Sequence, residues 1–485
     1  MSEQLSRDEL MVDALYIGGK WQQGESTFAV TNPANGESIA DVANGNKAQV
    51  EAAIDAAHRA LPNWRKCTSE ERSKKLRAWF DAIMAHQDEL AEIMTLEQGK
   101  PVDEAAGEIA YGASFVEWFA EEAKRIRGDV LPHVANGQES RVIKQPIGVV
   151  GCITPWNFPN AMITRKVAPA LAAGCTVVVK PPTLTPLSAL ALGVLAEQVG
   201  IPGGVINIVP TDDAKMFSET LCSNPKVRKL SFTGSTKVGQ TLMKLCSENV
   251  IKMSLELGGN APFIVFDDAD LDLAVEQLMA SKFRNAGQTC ISANRVLVQA
   301  EAHDAFMQKL SSAIKTLKVG DGMDKENDLG PLINDDAVEK AHKLVTDAIN
   351  QGAVCEIRGG RDDFLGPLFY KPVLLSKVTA GMEISQTEIF APVVAVQSFD
   401  TEEEGVELAN DTPFGLAAYF CASSPARIHR VSYALEAGLI GINAGGISHN
   451  MNPFGGVKQS GIGREGSHYG IDEYLEIKTL VQGGL

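Results

Sequence analysis

Ile147-Gly148-Val149-Val150-Gly151-Cys152-Ile153, Cys175-Thr176-Val177-Val178-Val179 and Val205-Ile206-Asn207-Ile208-Val209 decide how this chain is read. Each run is short, nearly all apolar and closed by a turn-forming segment. Leu230-Ser231-Phe232 and Met253-Ser254-Leu255 continue the series, with helical stretches between the runs. Runs this apolar suit strands covered on both faces of a parallel sheet. Their alternation with helices predicts a doubly wound α/β unit. In such sheets ligands sit beyond the carboxyl ends of the strands. The segments that follow the runs, residues 154–159, 180–183, 233–235 and 256–259, are therefore the first places to look for function.

Outward from this centre, residues 258–458 repeat the α/β style. Phe263-Ile264-Val265-Phe266 reads as a strand, 271–283 as a helix and Gly287-Gln288-Thr289-Cys290 as a loop. On the N-terminal side, Val50, Ile54, Ala57 and Leu61 recur at helical spacing. One longer helix is expected to carry Leu76, Phe80, Ile83, Leu90, Ile93 and Met94 on one face and to stop at Gly99-Lys100-Pro101. Residues 129–146 place Asn136-Gly137 between two extended arms, a hairpin signal. An isolated hairpin is marginal in water, so it should pack on its own domain or on another subunit. The tail, Leu475-Glu476-Ile477-Lys478-Thr479-Leu480-Val481, alternates as a strand does.

The chain has 485 residues, enough for about three structural units at roughly 150 residues each. Apolar residues make up 45% and charged residues 22%, which excludes a disordered or fibrous protein. Acids outnumber bases 61 to 44, a net charge of −17, and no Lys/Arg run supplies a basic patch, so no nucleic-acid partner is expected. The longest uncharged apolar-leaning stretch, 181–196, carries three prolines and is too short to span a bilayer, so no membrane association is expected. The first residues, MSEQLSRDELM, have no apolar core and do not read as a signal peptide. The eight cysteines form no CxxC pair. That is neither a disulfide framework nor a zinc site, no metal is expected, and a reducing cytoplasm is the natural compartment.

Two glycine patterns mislead. Gly461-Ile462-Gly463-Arg464-Glu465-Gly466 matches GxGxxG, but no apolar strand leads into it. Gly234 to Gly239 has phosphate-loop spacing, yet Gln240 stands where the lysine is required. Gly234-Ser235 does lie between a strand and a helix beginning near Thr236, where free N–H groups can hold a pyrophosphate. Cys290 sits in a polar loop and reads either as an inert buried thiol or as a nucleophile. No histidine has a paired spacing that would mark its base. Glu256, between Leu255 and Leu257, is either a cap on the next turn or a general base with a raised pKa.

Taken together and in order, TPWNFP at 154–159, KP at 180–181, FTGS at 232–235, LELGGN at 255–260, GQTC at 287–290, EIFAPV at 388–393 and PFGG at 453–456 resemble the aldehyde dehydrogenase superfamily over nearly the whole chain. AMITRKVAPALAAGCTVVVKP, SKFRNAGQTC and GREGSHYGIDEYLE are most similar to its succinate-semialdehyde branch. The resemblance implies a dinucleotide-binding domain over 1–123 and 147–257, a second, catalytic α/β domain over 258–458, and a small β oligomerisation element over 124–146 and 459–485. It implies Cys290 as nucleophile, Asn157 with the Cys290 N–H as oxyanion hole, and Glu256 as the base that activates water. Because relatives that pass the acyl group to coenzyme A generally lack this glutamate, hydrolysis is the expected outcome.

The same resemblance assigns Trp156, Asn157, Lys180, Thr183, Gly234, Ser235, Leu257, Glu388 and Phe390 to an NADP or NAD site. Thr183 replaces the glutamate of many NAD-specific members, so NADP should be tolerated or preferred. Arg165, Arg284 and Ser448 match residues that hold a distal carboxylate, the plainer reading of the arginines being helix-surface cations. Succinate semialdehyde is the expected substrate, with glutarate semialdehyde or a sulfonated three-carbon aldehyde as alternatives; His449 beside Ser448 bears on which acid fits. Ser292 stands where some relatives carry a second cysteine, so no disulfide switch at Cys290 is expected. A cysteine-dependent esterase or hydrolase is the rival from another class. By the same resemblance the tail pairs with a neighbouring subunit in a homodimer or homotetramer.

Overall fold

A computed structural model describes residues 4–133, 135–362 and 364–485. Val134 of the expected hairpin and the first three residues of the start lie outside these described residues.

Four long helices precede the hairpin. Helix α1 (Lys47–Lys66) opens with a capping box from Asn46 and Gln49 and buries Val50, Ala53, Ile54 and Ala57. The single long helix expected next is two, α2 (Ser69–Ala85) and α3 (Gln87–Gln98). The break is at His86, whose backbone leaves the helical region at φ −115°, ψ 28°. Its buried ring bonds the Ala82 carbonyl (2.8 Å) and accepts from the Leu5 N–H (2.9 Å). Helix α3 ends at Gly99, φ +90°, where a Cβ would meet Pro33 and Pro331 at 2.8 Å. Helix α4 (Val102–Glu122) then runs beneath the loops that carry the site.

The hairpin follows as β1 (Asp129–Leu131) and β2 (Gln138–Pro146), antiparallel. Asn136-Gly137 does form a turn, closed by the Gln138 N–H to the Ala135 carbonyl at 3.3 Å with Gly137 at φ +74°. The connection is longer than the dipeptide implies, because pairing stops at Leu131↔Ser140. Pro132, next in line, has no N–H to donate.

The apolar runs are strands. They are β3 (Val149–Ile153), helix α5 (Ala161–Ala173), β4 (Thr176–Lys180), helix α6 (Leu187–Gln198), β5 (Ile206–Ile208), helix α7 (Ala214–Ser223), β6 (Val227–Thr233), helix α8 (Thr236–Ser247) and β7 (Lys252–Glu256). The five strands lie parallel in the order β5-β4-β3-β6-β7. Val177, Val178 and Val179 are fully buried. Each such side chain contributes about 1.5–3 kcal/mol on leaving water. Short antiparallel strands extend the sheet at its edges, Leu15–Ile17 and Lys20–Gln22 on one side and Gly461–Ile462 on the other. The chain reverses its direction of travel across the sheet between β3 and β6, and a crevice at such a switch point is where ligands bind.

A second sheet of seven strands includes β8 (Ala261–Val265), followed by helix α9 (Leu271–Lys282), and β9 (Ala293–Gln299). It also includes β10 (Val393–Phe399), β11 (Ala417–Cys421) and β12 (Leu439–Ile442). Only its edge strand Val354–Ile357 is antiparallel. The tail strand β13 (Leu475–Gly483) pairs antiparallel along the whole of β2 in its own chain, giving a three-stranded sheet β13-β2-β1. Among the described residues no helix is long and apolar enough to cross a membrane.

Candidate active site

The site is built at the switch point. Beyond β3 the chain turns through Pro155, Trp156 and Asn157; beyond β6 it enters Gly234-Ser235 and helix α8. Ser235 caps that helix, its hydroxyl accepting from the Val238 N–H at 3.4 Å. A Cβ on Gly234 would sit 2.5 Å from the Phe232 ring, so only glycine lets the backbone pass here. Gly239 likewise lets α8 close on Leu257, whose Cδ2 lies 2.6 Å from where a Cβ would be.

Cys290 is delivered by an unusual turn. Asn285, Ala286 and Gly287 are all left-handed, with φ of 50°, 53° and 77°. For Asn285 and Ala286 that conformation costs about 1–3 kcal/mol each and persists only where the surroundings hold it. The holding groups are visible. The Asn285 side chain donates to the Asn157 carbonyl (2.9 Å), and the Asn157 side chain donates to the Gln288 carbonyl (3.0 Å). Gln288 Oε1 accepts from the Ile333 N–H (3.0 Å). Gly259 supports the other side, since a Cβ there would press into the Cys290 carbonyl.

A cavity of about 320 Å³ opens over this turn. Trp156, Asn157, Gly234, Ser235, Leu257, Cys290, Glu388 and Phe390 all line it. Trp156 and Phe390 meet edge to face with centroids 5.7 Å apart. Glu388 Oε1 accepts from the Gly259 N–H at 3.1 Å, and burial pushes its carboxyl up to about 7. Ile333, Asn334 and Lys340 also line the cavity. They come from a stretch with no motif, and nothing in their spacing pointed here. Lys180 and Thr183 do not reach this cavity. Lys180 Nζ bonds the Pro181 carbonyl (3.2 Å) and Thr183 Oγ1 the Thr211 carbonyl (3.2 Å), beyond the end of β4.

A second, smaller pocket lies on the other side of Cys290, which lines both, and Arg165, Arg284 and Ser448 meet there. The plainer reading of Arg165 as a surface cation is overturned, because it is 1% exposed. It is also not free. Its Nε lies 3.1 Å from Glu465, which also pairs with Lys166. The Arg165 guanidinium stacks 4.0 Å over Phe454, and its Nη2 has no partner. Arg284 lies over the rings of Phe158 (4.7 Å) and Tyr111 (5.7 Å). The Tyr111 hydroxyl bonds Ser448. Tyr111 and Glu465 went unmarked in the sequence, Tyr111 inside a plain helix and Glu465 inside the misleading GxGxxG match.

Glu256 ends β7 but lines neither pocket. Its Oε1 lies 2.9 Å from where a Cβ on Gly455 would sit, and its Oε2 has no partner. Burial, then the neighbouring Glu465, pushes its carboxyl well above the usual range, opposed by Arg165, Lys166 and Arg464. Burial, then Glu388, likewise pushes the Cys290 thiol up to about 12.

The aldehyde dehydrogenase family profile matches residues 21–480. The chain belongs to the aldehyde dehydrogenase family. It is 53% identical, over 99% of both chains, to the NADP(+) succinate-semialdehyde dehydrogenase GabD of Escherichia coli strain K12. To a glutarate-semialdehyde dehydrogenase of Pseudomonas aeruginosa it is 52% identical, over 99% of this chain and all of that one. Among solved structures, an NADP-dependent enzyme of E. coli superposes with a TM-score of 0.97 at 52% identity, covering 98% of this chain and 99% of that one. The aldehyde dehydrogenase fold thus accounts for both α/β sheets and for the position of the loops between them.

Proposed function

We propose that this chain oxidises a small aldehyde bearing a distal carboxylate, best succinate semialdehyde, to the corresponding acid. One observation carries the reading: Cys290 lines both a large cavity at the sheet switch point and a smaller pocket that Arg165 and Arg284 also line. The names of the two relatives described above, both semialdehyde dehydrogenases, support it.

The large cavity fits a nicotinamide dinucleotide. Gly234 and the N-terminal turn of α8 offer backbone N–H groups to a pyrophosphate. In this reading Glu388 binds a ribose hydroxyl and Trp156 and Phe390 flank the ring within the cavity, while Lys180, outside it at the end of β4, meets the adenosine end. Thr183 carries no charge to repel a 2′-phosphate, which favours NADP over NAD. The nicotinamide, when bound, takes up the hydride.

The remaining chemistry belongs to the chain. The Cys290 thiolate attacks the aldehyde carbon, forming a thiohemiacetal. One Asn157 amide hydrogen and the Cys290 N–H stabilise the alkoxide, and such a donor is worth about 2.7–4 kcal/mol. Once oxidised, the acyl group is held on Cys290 as a thioester. Glu256 takes a proton from the water that releases the acid. Because it lines neither pocket, its side chain must rotate toward Cys290 to do so. Arg284, Ser448 and the unpartnered Nη2 of Arg165 bind the distal carboxylate through charge-assisted bonds. Eight free cysteines support a reducing compartment, the cytoplasm.

The test is absorbance of the reduced cofactor across aldehydes with and without a distal anion, using NADP and NAD in parallel. Succinate semialdehyde should lead the panel, ahead of glutarate semialdehyde. Equal kcat/KM for succinate semialdehyde and butyraldehyde would refute the anion pocket.

A further inference from the structure

Helix α4 and Lys100, two residues before it, touch both halves of the site. Lys100 is fully buried, and its Nζ donates to the Asn157 carbonyl at 2.9 Å while pairing with Glu108. Glu108 Oε1 accepts the backbone N–H groups of Asn160 (3.0 Å) and Ala161 (3.2 Å), at the start of α5. One turn earlier on the same face, Glu104 Oε1 accepts the Asn285 N–H at 2.7 Å. The Asn157 carbonyl is then shared, since Asn285 Nδ2 donates to it as well. Three charged groups on one short stretch of chain thus grip the loop bearing Asn157 and the left-handed turn bearing Cys290.

Stability does not explain this arrangement well. A buried ion pair is often no better than an apolar pair of the same volume, because desolvation offsets the attraction. What the pair supplies here is direction. It fixes the Asn157 peptide, and the 104–285 bond fixes the turn against it. We propose that Lys100, Glu108 and Glu104 are positioning residues that hold the Asn157 amide and the Cys290 N–H in register as one oxyanion site. The proposal rests on the reading of Cys290 and Asn157 as reacting groups, and it adds three residues that touch neither substrate nor cofactor.

The experiment compares two reactions of the Cys290 thiol in the intact enzyme. Acylation by p-nitrophenyl acetate passes through a tetrahedral oxyanion. Alkylation by iodoacetamide does not. Neither needs a cofactor or a distal carboxylate, so the result stands even where the aldehyde assignment fails. Lys100→Met/Glu108→Gln removes both charges of the ion pair together. It should slow acylation by about 10²-fold, the scale of a misplaced reacting group, with alkylation held within about twofold. Glu104→Ala should shift the same ratio in the same direction, and Glu104→Gln, which keeps an oxygen for the Asn285 N–H, should restore it. Glu104→Ala carries the test alone where the double variant does not fold. Unchanged acylation in the variants overturns the proposal. So does an equal loss of both reactions, which would assign the stretch a purely structural role. Wild-type enzyme that acylates normally but oxidises no semialdehyde overturns the functional reading and leaves the positioning result standing.

Discussion

Arg165 and Arg284 line the same pocket but differ in what they already hold. Arg165 is buried against Glu465 and Phe454. Arg284 has the aromatic rings of Phe158 and Tyr111 beneath it. Removing Arg284 therefore removes a proposed ligand for substrate, whereas removing Arg165 also takes one of its two cations from buried Glu465, which keeps Lys166. Arg284→Ala should raise KM for succinate semialdehyde by about 10–100-fold, the loss of one or two charge-assisted bonds, with Tm little changed. Arg165→Ala should cost about 1–3 kcal/mol of stability as well, for the Glu465 oxygen left without its partner, read by denaturant unfolding. Cys290 gives a second test at this scale. Its thiol is held high by burial and by Glu388, so at neutral pH the thiolate is the minor form. Below the pKa the thiolate fraction grows about tenfold per pH unit, so alkylation of the cofactor-free enzyme should climb steadily from about pH 7 to 10. A plateau beginning near pH 8 would show that the thiol is not raised at all.

The element that matters most is the turn from Asn285 to Cys290. It was legible only in part. GQTC marked where Cys290, the proposed nucleophile, stands, but no local rule foretells a left-handed Ala286 between Asn285 and Gly287, since alanine, unlike Asn or Gly, enters that region only under outside constraint. The constraint comes from Asn157, Glu104 and Ile333, which are distant in sequence. The α2–α3 break has the same origin. The apolar spacing runs straight through, and the interruption is set by what the His86 ring bonds. By contrast, β3 and β4 were readable at once, because nearly every residue on both of their faces is apolar and buried. Gly287→Ala tests how tightly the turn is specified. A Cβ there would collide with the Ala391 carbonyl at a positive φ. The expected result is a loss of about 1–3 kcal/mol in stability, with activity falling by about 10²-fold as Cys290 shifts. An active variant with unchanged Tm would show the turn to be adaptable.

At the scale of the whole molecule, the three-stranded sheet leaves apolar surface exposed. Ile477 is 73% and Val481 62% exposed, on the face that also carries Leu131 through the register Val481↔Ser140↔Leu131. The outer edge of β13 has no partner strand among the described residues. The pairing with β2 shows that the tail is held by its own chain, so a neighbour would add to this sheet rather than complete it. Long, apolar, unpaired edges are a liability that proteins cover. The expected cover is a second copy, giving a dimer or a pair of dimers in light scattering at micromolar concentration. Ile477→Glu/Val481→Glu places charge on that face without touching either pocket, so it should shift the mass toward the monomer while KM for aldehyde and cofactor holds. A wild-type monomer at that concentration would refute self-association. A dissociated variant that loses activity would show instead that the site depends on the neighbour.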